Sequence, residues 1–224
     1  MKTDKDFWSR VIEDIKKSES ATYHRGKSWI HCYLFFRNYR KIRNSTNLQD
    51  RAALHLGFFL ASWGMLRGSS FLLQQDYKIY IPIVRILINL KYDPLWNASY
   101  QKLSIQKAEE ILDLLFDLKN ILRHKFKEEC EDCETPTDLL ITKIMMATMG
   151  CAPAYDTYFK KGLKKFGIKY YSNFSRKSFK NLLDACNKSE AIRKIYKIRQ
   201  PVAGTHYLYP PMKLLDLYCW LYGQ

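Results

Sequence analysis

Much that would announce a function is missing from this 224-residue chain. It has only nine glycines, and none form the glycine-rich loop that cradles a nucleotide's phosphates. Cys130-Glu131-Asp132-Cys133 has zinc-ligand spacing, but tetrahedral zinc needs two more ligands and the sequence holds no second paired set. Neither a metal nor a cofactor is expected. The five histidines are spread too widely for a catalytic triad. The most apolar stretch, Leu54 to Leu66, stops at Arg67 and is too short to cross a bilayer. Met1 to Asp6 is polar and reads as no signal peptide. Four of the six cysteines sit in apolar or aromatic surroundings, as reduced, buried thiols do. These absences predict a soluble, cytoplasmic protein with no membrane partner.

Acid is scarce as well. Against 22 Asp and Glu stand 37 Lys and Arg, a net charge of +15. Such an excess attracts polyanions, and DNA or RNA is the partner it fits best. Rings are abundant: 16 Tyr, 12 Phe and 5 Trp exceed what one core of this size needs. Some are expected at the surface or in a pocket.

No stretch alternates with period two, while helical periodicity runs throughout, so the fold class is all-α. Helices are expected from about Asp4, from Ser28 to Arg43, from Leu48 to Leu66 behind a Thr46/Gln49 capping box, and from Tyr80 to Leu90. Lys91 to Gln101 reads as a loop. Ser104 to Lys127 carries the clearest apolar stripe, from Ile105 to Phe126. Glu128 to Asp138 holds six acidic residues and Pro136, and it divides an N-terminal lobe (1–127) from a basic C-terminal lobe (135–224) within a single domain, 1–224. Thr135-Pro136-Thr137-Asp138 starts a helix that ends at Gly150. Pro153 leads into a basic helix ending near Gly167, two shorter helices come after it, and Pro210-Pro211 opens the last.

From Thr157 to Gln200 there are thirteen Lys and Arg, including Lys160, Lys161, Lys164 and Lys165, against only Asp184 and Glu190. Tyr158, Phe159, Tyr170, Tyr171 and Phe174 are interleaved, so cations for phosphates lie beside rings for bases. The same pattern also describes a solvated helix face over core aromatics. The Tyr33–Arg43 stretch is a second basic-aromatic segment. Its Asn38 either reads a base edge or is a surface amide. In Trp63-Gly64-Met65-Leu66-Arg67-Gly68, glycines four apart let another backbone approach, and Arg67 either holds a phosphate or bonds carbonyls. Asp113 and Asp117 are the solvated side of their helix. Asp156 stands at the start of the basic helix, where the helix dipole and nearby lysines should keep it ionised; it is either a catalyst or a cap.

Ala152-Pro153-Ala154-Tyr155-Asp156-Thr157-Tyr158-Phe159-Lys160-Lys161 resembles the segment of helix-hairpin-helix DNA glycosylases that carries their essential aspartate, with one extra residue after the proline. Lys161 replaces the family's arginine, and the family's glycine-rich hairpin and iron–sulfur cysteines are absent. The chain is similar in particular to phage-defence glycosylases that excise glucosylated hydroxymethylcytosine. The resemblance implies a two-lobed helical fold with a cleft and a monofunctional enzyme that flips out a base and leaves an abasic site. Asp156 would then stabilise the sugar cation and orient water. Tyr155, Trp63, Asn38 and Tyr100 would face the base, and Arg67 with the four lysines Lys160, Lys161, Lys164 and Lys165 would face phosphates. The alternative is a non-catalytic, basic nucleic-acid-binding or regulatory module, or a membrane-surface domain using the basic helix.

Overall fold

A computed structural model describes residues 4–39, 45–98, 100, 105–130, 134–168 and 172–224. Among them the chain is helical throughout: α1 (Asp4–Ser20), α2 (Lys27–Tyr39), α3 (Thr46–Ser62), α4 (Tyr80–Leu87), α5 (Ile105–Glu129), α6 (Asp138–Thr148), α7 (Thr157–Lys165), α8 (Arg176–Lys188), α9 (Glu190–Arg193) and α10 (Pro211–Gly223). The described residues form no strand, only an isolated antiparallel bridge between Pro201 and Leu208. No described helix is long and apolar enough to cross a membrane.

Local chemistry sets the boundaries. Ser45, Thr137, Asp156, Ser175 and Ser189 each accept a backbone N–H from three residues on, satisfying a donor the helix start leaves open. The expected caps at Thr46 and Thr135 are thus displaced. Extended backbone at Ser45 and Thr137 makes those residues the caps, and Pro136 precedes its helix instead of opening it. α3 stops at Ser62, short of Leu66, because Gly64 turns to a positive φ of 72° and Met65 N–H returns to the Leu60 carbonyl. The expected close backbone approach at Gly64 and Gly68 is not made: a side chain at Gly64 would meet only Arg67, and at Gly68 nothing. Leu90–Asn97, expected as a loop, winds into 3-10 turns. The basic residues Arg40, Lys41 and Arg43, the Lys169-Tyr170-Tyr171 triplet and Cys133 lie outside the described residues.

The buried side chains form one continuous core from Trp8 to Cys219. α5 contributes the expected stripe, with Leu112, Leu115, Leu118, Leu122 and Phe126 all buried. Asp138, at the start of α6, ties α5 to the segment before α8: its carboxylate accepts from Lys119 and Arg123, both at 2.8 Å, and from the Phe174 N–H at 2.9 Å. The excess aromatics are mainly core, as in the Phe116–Phe174–Phe179 cluster.

Two arrangements position the site. The segment Cys151–Tyr155 is buried although it is not helical, so its polar groups need partners. Ala154 N–H donates to Asp216 of α10, Tyr155 N–H donates to Thr142 of α6, and the Cys151 carbonyl accepts the Tyr100 hydroxyl. Second, α7 and α10 cross closely. A Cβ on Gly162 would lie 2.1 Å from the Cys219 carbonyl oxygen, and one on Gly223 would lie 1.9 Å from that of Tyr158. Only glycine admits this approach.

Candidate functional site

A half-open cavity of about 110 Å³ lies where α1, α2, α6, α10 and the start of α7 meet. That is less than the ~150 Å³ of a dry cavity that accepts a benzene ring, so a ring entering here needs its part-open mouth as well. Trp29 of α2 is buried and donates its indole N–H to the Met146 carbonyl. Trp63, which caps the end of α3, donates its own to Ser28 Oγ at 3.1 Å. The Lys213 ammonium lies between these indoles, 5.4 Å from the Trp29 ring centre and 5.6 Å from that of Trp63. Cation–π attraction holds it there. Trp220 and Tyr209 complete the aromatic wall, and the Arg25 guanidinium covers the outer side of Trp63 at 4.9 Å.

Asp156 lines this cavity. Its Oδ1 accepts the Phe159 N–H at 2.8 Å, so it also caps α7. Of the two readings left open by the sequence, the cap is the one the geometry shows; the same residue also forms part of a ring-lined wall. Lysine charges do favour its ionised form, as expected, but they are not the largest influence on its pKa. Burial raises it above the ordinary 3.8, and the charge of Asp216 raises it further; the Phe159 N–H and the charges of Lys143 and Lys213 oppose them. The opposing lysines belong to α6 and α10, not to the basic helix α7.

Lys143, Lys213 and Asp216 are the residues that sequence reasoning misses. Each is nearly buried, with 6%, 4% and 7% of its surface exposed, where an unpaired charge is costly. Lys213 donates to Asp216 Oδ2 at 3.0 Å, and the other oxygen of Asp216 accepts the Ala154 N–H at 3.0 Å. Lys143 donates to the Trp63 carbonyl at 2.6 Å. Burial lowers the Lys143 pKa first, helped by Arg67 and Lys213 and opposed by Asp156 and Asp216. The cavity therefore balances carboxylates at Asp14, Asp156 and Asp216 against cations at Arg25, Lys143 and Lys213.

The other expected site residues scatter. Trp63 joins Asp156 in the wall. Tyr155 does not: it is 1% exposed, its ring packs on Phe159 and Phe174, and it belongs to the core. Tyr100 is likewise buried, edge-on to Phe179 with its hydroxyl bonded to the Cys151 carbonyl. Neither ring can stack on a base. Asn38 is exposed near the end of α2, away from the cavity wall. Arg67 is exposed and close enough to influence Lys143, which places it near the cavity. On α7, Lys160 is half-buried, Lys161 lies 5.4 Å from the Tyr158 ring, Lys164 is exposed, and Lys165 donates to the Tyr222 carbonyl at 2.7 Å. Asp113 pairs with Arg176, and Asp117 with Lys91 and Tyr92, so these acids serve as surface ties. The described residues contain no cluster of metal-ligating groups. No protein-family model matches the chain, and no curated protein or solved structure matches it either.

Proposed function

We propose that this protein removes a base from DNA by hydrolysing its N-glycosidic bond, with Asp156 as the group that faces the sugar. The observation carrying this reading is the Asp156 carboxylate in the wall of an aromatic cavity that also holds two buried lysines. A base inside a duplex must leave the stack before its glycosidic bond can be reached, and the part-exposed Trp220 ring of the wall suits an extruded ring. Breaking the bond builds positive charge on the sugar, which an ionised carboxylate stabilises while it holds water. The Lys143 ammonium has three donors, of which Trp63 takes one, and the others suit oxygen or nitrogen acceptors of a base. Buried Asp216, fixed by Lys213 and Ala154, is the structural member of the carboxylate pair. The buried free thiols of Cys32, Cys151, Cys186 and Cys219 fit work in the reducing cytoplasm. Cytosine carrying a glucosylated hydroxymethyl group, as in modified phage DNA, is the substrate the resemblance implies, its glucose lying outside a cavity this small; it is tested beside unmodified DNA.

The cap bond of Asp156 favours a second reading, a non-catalytic nucleic-acid binder in which this residue is structural. Asp156→Ser separates the two, because serine caps a helix as well as aspartate does but carries no charge. DNA treated with protein and then with alkali breaks wherever a base has been lost. Wild type should give breaks, while the serine variant should fold and bind normally but cleave about 10²–10³-fold more slowly, the usual cost of one electrostatic stabiliser. Equal cleavage by both, or none by wild type on any substrate, favours the binder.

A further inference from the structure

Behind the first cavity lies a second, of about 520 Å³, within the ~300–1,000 Å³ range of small-ligand sites. The two stand on either side of one stack of rings. Trp29, in the wall of the first, packs on Tyr33 at 4.9 Å and on Tyr209 at 5.1 Å; Tyr33 lines the second cavity and Tyr209 lines both.

Their charges differ. Among the described residues no carboxylate lines the second cavity, whereas Arg37, Arg199 and His206 do. The Arg37 guanidinium lies 5.9 Å from the Tyr33 ring and 5.1 Å from that of Tyr207, and it donates to the Trp96 carbonyl at 2.8 Å. That anchoring fixes the charge before any ligand arrives, which lowers the cost of binding. Arg199 and His206 are at the rim. The Tyr196 ring, 9% exposed, lines the same cavity, while its hydroxyl is buried away from it. Arg37, Arg199 and His206, with no carboxylate among the described lining residues, and the flanking rings together suit an anion attached to an aromatic ring.

We infer that the second cavity is a nucleotide subsite, taking the phosphate and base of a nucleotide that flanks the one held in the first cavity. The placement of that flanking nucleotide rests on the base-excision reading; the preference for a phosphate ester over a neutral nucleoside rests on the second cavity alone.

Calorimetric titration with thymidine 5′-monophosphate, thymidine and inorganic phosphate tests the subsite directly. The monophosphate should bind and displace bound phosphate, and thymidine should bind far more weakly. Arg199→Glu should weaken the monophosphate about tenfold, and His206→Ala severalfold. Lys127→Glu, an equal charge change at an exposed position on α5, should leave it unchanged. On a duplex, Arg199→Glu should also reduce the salt dependence of binding by about one phosphate's share. Equal affinity for thymidine and its monophosphate, or monophosphate binding that survives both Arg199→Glu and His206→Ala, overturns the assignment. Excision is scored separately with Asp156→Ser, so loss of the glycosylase reading and loss of the subsite are distinguishable.

Discussion

At Asp156 two demands meet on one side chain. As a cap it needs only an acceptor for the Phe159 N–H, but as a catalyst it must be ionised when substrate arrives. Burial and Asp216 both push its pKa above 3.8, while Lys143, Lys213 and the Phe159 N–H pull it down. Ionised Asp156 is lost as pH falls through its pKa, so kcat/KM should fall on the acid side, at a pH above that of an ordinary aspartate. Asp216→Asn removes the neighbouring negative charge and leaves Lys213 uncompensated, and both changes lower the Asp156 pKa. The acid limb of the kcat/KM profile should therefore shift to lower pH in that variant. A limb that stays in place would mean that another group controls it.

At the scale of elements, the site depends on how closely α7 can lie against α10. Gly162 and Gly223 have backbone carbonyls where side chains would otherwise be, and a carbonyl within a helix cannot swing aside. Gly162→Ala should therefore separate the helices and destabilise the fold by about 1–3 kcal/mol, the range for overpacking a tight contact. Lys164→Ala, exposed on the same helix, should change stability by less than about 0.5 kcal/mol. Denaturant midpoints compare them directly, and a near-neutral Gly162→Ala would mean the crossing is looser than this geometry. These same helices show what sequence can reveal. The proline start of α10, the stripe of α5 and the cap at Asp156 are legible because periodicity and capping are local. Tyr155 and Tyr100 are misplaced by sequence because nothing local tells a ring in a wall from one in the core. Lys143, Lys213 and Asp216 escape notice because isolated charges in apolar helices read as solvent-facing. A signal exists all the same. Lys213 and Asp216 are the only charges in α10, three residues apart, and Lys143 is the only one in α6 after Asp138. Helices this apolar have little solvated face to offer, so their few charges point to a polar interior.

Over the whole molecule, the +15 charge is less available than its count implies. Within the basic C-terminal stretch, Arg176 is tied to Glu109 and Asp113 of α5, and Lys180 to Glu109. These cations join α8 to α5, and their exposed ion pairs contribute little stability. Lys161 and Lys164, by contrast, project from α7, the helix that Asp156 opens. A phosphate neutralised by a lysine releases counterions, so the slope of log affinity against log salt falls by about 0.9 for each contact removed from duplex DNA. Lys161→Gln with Lys164→Gln should then flatten that slope by up to about 1.8 and weaken binding across unrelated sequences. Arg176→Gln with Lys180→Gln removes as much formal charge but should leave the slope nearly unchanged, because those cations already have protein partners. Titrations of one duplex at several salt concentrations separate the cases. Equal flattening by both pairs would show that binding follows total charge; flattening by the α7 pair alone would place the phosphate backbone along the helix that presents Asp156.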